Sequence, residues 1–145
     1  MKPTIQRLLI LAALTLGLAL ASDAPPAPAP PVVIVNKKNP VAHLRVVNLE
    51  RIYRGLEDRW EDGQKIVPIN RPVDSDIRRA FYKRVFNGPP SLKFFRPNSP
   101  IPVNTMVIPS DTAALRFVAH IPNAIAYVSA DTVDDTVKVI AVAEW

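Results

Sequence analysis

Apolar and polar positions alternate in short blocks along this chain, and each block predicts one element. Val32–Val35 is a run of β-branched residues that predicts a buried strand, and the polar stretch Asn36–Pro40 predicts a turn after it. Asn48 is placed to cap a helix in which Leu49, Ile52, Tyr53 and Leu56 recur at helical spacing, with Gly55 marking its end. Tyr53 and Trp60 are expected in the core, where that helix meets the sheet, and Glu61-Asp62-Gly63 predicts another turn. The short apolar run Ile66–Ile69 predicts a second buried strand, followed by a turn through Asn70-Arg71-Pro72-Val73. From Asp74-Ser75-Asp76 the spacing becomes helical, with Ile77, Ala80, Phe81 and Val85 on one face as far as about Phe86. Asn87-Gly88 and Pro89-Pro90 stop that helix.

Ser91–Arg96 predicts one helical turn with Leu92 and Phe95 facing inward, and the three prolines of Asn98–Pro109 predict a loop holding a strand fragment. Ser110-Asp111 caps a further helix carrying Ala114, Leu115, Phe117, Val118 and Ile121, which Pro122-Asn123 breaks. Ala124–Val128 and Thr136–Val142 are the last strands, on either side of the acidic turn Asp131–Asp135. Strands alternating with helices give an α/β class, a mixed or largely parallel sheet flanked by helices.

The N-terminus changes this picture. Lys2 and Arg7 precede a fourteen-residue apolar run, Leu8–Ala21, that ends in the small-residue cleavage pattern Ala19-x-Ala21. That order predicts a secretory signal peptide over residues 1–21, since the run falls short of the roughly 20 residues a membrane span requires. Residues 22–31, reading SDAPPAPAPP, predict an extended proline-rich linker, leaving 32–145 as one domain. The expected location is periplasmic or secreted, with membrane contact only during export. Of the formal net charge of +5, Lys2 and Arg7 supply two, so the exported part carries about +3, with charges mixed along the chain. No basic block or aromatic platform is present, which excludes a nucleic-acid partner. There is no cysteine, hence no disulfide, thiol nucleophile or lipid attachment at the cleavage point.

Catalytic signatures are missing: the sequence contains no GxSxG, Walker loop, GxGxxG or HExxH. His43 and His120 have no recognisable triad neighbourhood, and His120 fits a favourable contact with a helix C-terminus. Glu57, Asp58, Glu61 and Asp62 read as a solvated rim without the ligand spacing of a calcium loop. We therefore expect no enzyme, no metal and no cofactor. The one stretch with chemistry to offer is the strand–turn–helix corner around Arg71. The free N–H groups of a helix start attract an anion, and a neighbouring arginine adds a planar donor fork. An ordinary helix cap accounts for the same spacing.

The order of motifs resembles a known family. Val32-Val33-Ile34-Val35-Asn36, Asn39-Pro40-Val41, Leu49 through Gly55, Trp60-Glu61-Asp62-Gly63, Val67-Pro68-Ile69-Asn70, Ser75 through Tyr82 and Pro122 through Val128 look like the phosphate substrate-binding proteins of ABC importers, especially short single-lobe members. The resemblance covers about residues 32–142. It implies one lobe of a periplasmic type 2 binding-protein fold, with phosphate or another small oxyanion held by an arginine and a Ser-Gly-Thr helix start. Arg71 and Ser75 match the arginine and serine, whereas Asp76 and Ile77 stand in the glycine and threonine positions. These four residues, Arg71, Ser75, Asp76 and Ile77, form the expected anion site. The alternative is a non-catalytic module that has lost the ligand and docks an envelope or transporter protein.

Overall fold

The computed structural model describes residues 24–145; the expected signal peptide and the first two linker residues lie outside them. Element order is β1 (Pro31–Asn36), β2 (His43–Arg45), α1 (Val46–Tyr53), β3 (Val67–Asn70), α2 (Asp76–Phe86), β4 (Met106–Val107), α3 (Asp111–His120), β5 (Ala124–Ser129) and β6 (Val137–Ala143). The six strands form one sheet in the order β2-β6-β1-β5-β3-β4. β1 is antiparallel to both β5 and β6, while β2 pairs parallel with β6 and β3 pairs parallel with β5 and β4. The sheet is thus mixed, as the alternating blocks predict.

Side-chain alternation along β1 and β5 divides the core into two layers. Val33, Val35, Ile125 and Tyr127 face α1 and α2, packing with Leu49, Ile52, Tyr53, Phe81 and Val85. Ile34, Ala124, Ala126 and Val128 face the other way, against Ala114, Leu115 and Val118 of α3. Both faces of the central strands are covered, which is why they read as continuous apolar runs. Tyr53 and Trp60 are core residues, and the Phe81 ring stacks on Tyr127 at 3.8 Å between centroids. Asn36 ends β1 by donating its Nδ2 hydrogens to the carbonyls of Val118 and Ala119, tying the strand to the last turn of α3.

Three local expectations are corrected. α1 starts two residues before Asn48, which sits in the first turn and accepts from the Arg45 N–H instead of standing at the cap. Leu56 lies beyond the helix and is exposed, because Gly55, at φ 71°, has already turned the chain away. Ser91–Arg96 is not helical: it runs extended, so Leu92 and Phe94 share the inner side and Phe95 faces solvent. Phe94 packs on Phe86 at 4.7 Å between centroids, with the Arg54 guanidinium 4.9 Å over its ring.

Candidate functional site

β3, β4 and β5 run the same way, so the segments that follow them meet at one edge of the sheet. Ligands of α/β proteins gather at such carboxyl ends. Arg71 follows β3, Asp111 opens α3 just after β4, and Ser129 closes β5.

Asn70 is the hub of this edge. Its side chain is buried; Nδ2 donates to the Tyr82 hydroxyl at 2.7 Å and to Oγ1 of Thr105 at 3.2 Å. Oδ1 accepts from the Arg71 N–H at 3.0 Å and from the Tyr127 hydroxyl. Burial pushes the Tyr127 hydroxyl well above the usual tyrosine range, only partly offset by the N–H that Arg71 donates to it. Burial, reinforced by Tyr127 and Tyr82, also raises the Tyr53 hydroxyl, which donates to the Ile69 carbonyl at 3.0 Å.

Arg71 is buried, with only 6% of its side chain accessible. Nε donates to the Ile108 carbonyl at 2.9 Å, Nη2 to the Pro109 carbonyl at 3.3 Å, and Nη1 to Oδ1 of Asp111. Oδ2 of Asp111 accepts from the Ser129 N–H at 3.2 Å; the Thr132 hydroxyl, 3.4 Å away, donates its proton to the Ser129 carbonyl at 2.7 Å. Asp111 also occupies the first turn of α3, where the helix dipole favours a negative charge. A carboxylate supplied by the chain itself therefore fills a seat made of a guanidinium, a backbone N–H and a helix start.

The other expected site residues turn elsewhere. Ser75 is the N-cap of α2, but its hydroxyl donates back to the Pro72 carbonyl at 2.6 Å and caps no helix N–H. Asp76 is 84% exposed at the side chain and pairs with Arg79. Ile77 is half-buried against the α1–α2 core. Arg71 and Ser75 share the β3–α2 connection, yet the guanidinium is directed to the start of α3. Sequence reasoning took Asp111 only as part of a cap and gave Asn70 no role; a charge partner 40 positions away leaves no local pattern.

No family model and no curated protein sequence matches the chain. Solved structures do. An ABC-type phosphate transport receptor from Vibrio cholerae matches at TM-score 0.64 and 26% identity, covering 79% of this chain and 46% of that one. A phosphate ABC transporter substrate-binding protein from Clostridium perfringens, solved with phosphate bound, matches at TM-score 0.63 and 28% identity, covering 79% of this chain and 45% of its own. This chain is similar in structure to the phosphate ABC transporter substrate-binding proteins. PstS from Borrelia burgdorferi repeats the fold at TM-score 0.60 and 17% identity. The chain spans less than half the length of these solved structures, which fits one lobe of their fold. Among the described residues no helix is long and apolar enough to cross a membrane.

Proposed function

We propose that this phosphate-binding-protein-like chain is an exported, non-catalytic module that works by contact with another envelope or transporter protein. The observation that carries this reading is the closed Arg71 seat: the guanidinium expected to hold a ligand is buried and matched by Asp111. An external dianion there would have to displace a carboxylate already held by the Arg71 guanidinium and the Ser129 N–H. The catalytic motifs sought in the sequence are missing, and the solved relatives are transport receptors.

A second reading keeps a small oxyanion, phosphate above all, at the start of α2 with Arg71, Ser75, Asp76 and Ile77 around it. It draws on the N-cap serine that leaves the helix amides uncapped, and on the phosphate bound to the Clostridium relative. Calorimetric titration of residues 22–145 with phosphate and with sulfate separates the two. We expect no saturable heat for either anion, and a photo-crosslinker at the exposed Val73, in the β3–α2 connection, to give one defined protein adduct in the producing cell. Saturable phosphate binding weakened by both Arg71→Ala and Ser75→Ala in folded protein would replace the first reading by the second.

A further inference from the structure

Behind the β3–α2 corner, away from the Asp111 seat, a cavity of about 400 Å³ lies between α2 and the 91–105 segment. That is the size of a small-molecule site. Its positive charges are Arg78 and Lys93, and no carboxylate lines it. Neither cation forms an ion pair among the described residues.

Arg78 is held rigidly. Nε donates to the Pro90 carbonyl and Nη1 to the Arg71 carbonyl, both at 2.8 Å, and the guanidinium stacks over the Tyr82 ring at 4.7 Å. The hydrogens left over are one on Nη1 and both on Nη2, the end of the fork, which matches the two oxygens of a carboxylate. The hydroxyl-bearing residues Tyr53, Tyr82, Ser91 and Thr105 line the same cavity. Tyr82, 2% exposed, and Thr105 each accept from Asn70, and neither finds an acceptor for its own proton among the described residues. Beside the Arg78 fork the cavity therefore offers two hydroxyl protons that have no acceptor among the described residues. Leu92, Phe94, Val103 and Val107 give the cavity an apolar wall, and Ser91 and Asn104 also line it. An inorganic anion would leave that wall wet, whereas an organic acid covers it.

We propose that this cavity binds a small carboxylate with an apolar body. Arg78 takes the carboxylate end-on, Tyr82 and Thr105 donate to it, Lys93 adds charge at the mouth, and the apolar wall covers the body. The site does not depend on whether the Arg71 corner binds anything.

The test uses residues 22–145 with N-acetyl-L-leucine as probe and the neutral N-acetyl-L-leucinamide as its isostere, followed by calorimetry and backbone amide shifts. The acid should bind with amide shifts at Tyr82, Lys93 and Thr105, and the leucinamide at least about ten-fold more weakly. Arg78→Gln should weaken the acid by about ten-fold or more and the exposed change Lys93→Gln by a few-fold, while Arg116→Gln, on the exposed side of α3, leaves it unchanged. Should Arg78→Gln fail to fold, Lys93→Glu and Thr105→Val carry the same test. Equal binding of acid and amide, no binding of the acid up to roughly 10 mM, or inorganic phosphate binding as tightly with the same Arg78 dependence would each overturn the proposal.

Discussion

Arg71 and Arg78 leave the same corner of the chain seven positions apart and meet opposite surroundings. Arg71 turns into the sheet edge, where Asp111 and two carbonyls complete it. Arg78 turns along α2 into a cavity without acidic groups, and only carbonyls and a ring hold it. The difference teaches that an arginine placed where a family keeps its anion-binding group is not by itself a site. What counts is whether the chain has already supplied the anion.

The most direct way to break this comparison is Asp111→Ala. It leaves a buried guanidinium without its counter-charge, and we expect a loss of about 3–5 kcal/mol in denaturant unfolding. Replacing the pair together, Arg71→Met with Asp111→Leu, should recover most of that loss, because no unpaired charge remains. A loss below about 1 kcal/mol for Asp111→Ala would mean that water reaches the seat and that it is open after all.

Alkaline pH attacks the same edge without mutation. In the unfolded chain tyrosines ionise near pH 10, but burial raises Tyr53 and Tyr127 above that in the folded protein. Above about pH 10 the unfolded state therefore binds fewer protons, and stability falls as pH rises towards the folded values; below it the contribution is intact. Each group removes up to roughly 1.4 kcal/mol per pH unit in that window. Melting temperature should decline above about pH 10, and tyrosinate absorbance for these two residues should appear together with unfolding. Ionisation of both in fully folded protein would contradict the packing described.

A finer comparison sets the two hydroxyls that meet Asn70 against each other. Tyr127 accepts from the Arg71 N–H and donates to Asn70, so Tyr127→Phe removes two buried hydrogen bonds and leaves Asn70 Oδ1 and the Arg71 N–H with only each other. We expect a cost of about 1–3 kcal/mol. The Tyr82 hydroxyl only accepts from Asn70 Nδ2, which still has Thr105, so Tyr82→Phe should cost about 0.5–1.5 kcal/mol. Equal costs would remove the distinction between a filled edge and an unfilled cavity.

What the sequence made legible follows from the range of each interaction. β1 and β5 are buried on both faces, so their apolar runs were unambiguous, and α2 and α3 were marked by apolar spacing with polar starts and breakers. The family resemblance rested on motif order and agrees with the solved relatives. Ser91–Arg96 failed because a short apolar segment between prolines fits either period, and packing of Phe94 against Phe86 selected the extended one. The partner of Arg71 was invisible for a different reason. Only the parallel pairing of β3 with β4 brings Asp111 to it, and strand pairing is a property of the whole sheet.

The smallest expected effect belongs to Asp76, and it separates the two readings of the corner. Asp76 lies in the first turn of α2, exposed and paired with Arg79. In Asp76→Gly the favourable charge at the helix start is lost and the first turn is loosened, so stability should fall by about 0.5–1 kcal/mol. The exposed pair adds little to this, since such pairs contribute roughly 0–1 kcal/mol and are screened by salt. If a phosphate sat on the α2 amides, removing a like charge beside it would strengthen binding by about 1 kcal/mol, several-fold in affinity. We expect the melting temperature to drop while phosphate titrations stay flat, both measured on one sample. The two effects have opposite signs, so a several-fold gain in phosphate affinity in a protein that melts earlier has no structural explanation except an anion at the start of α2. That result would shift the function back to Arg71, Ser75, Asp76 and Ile77.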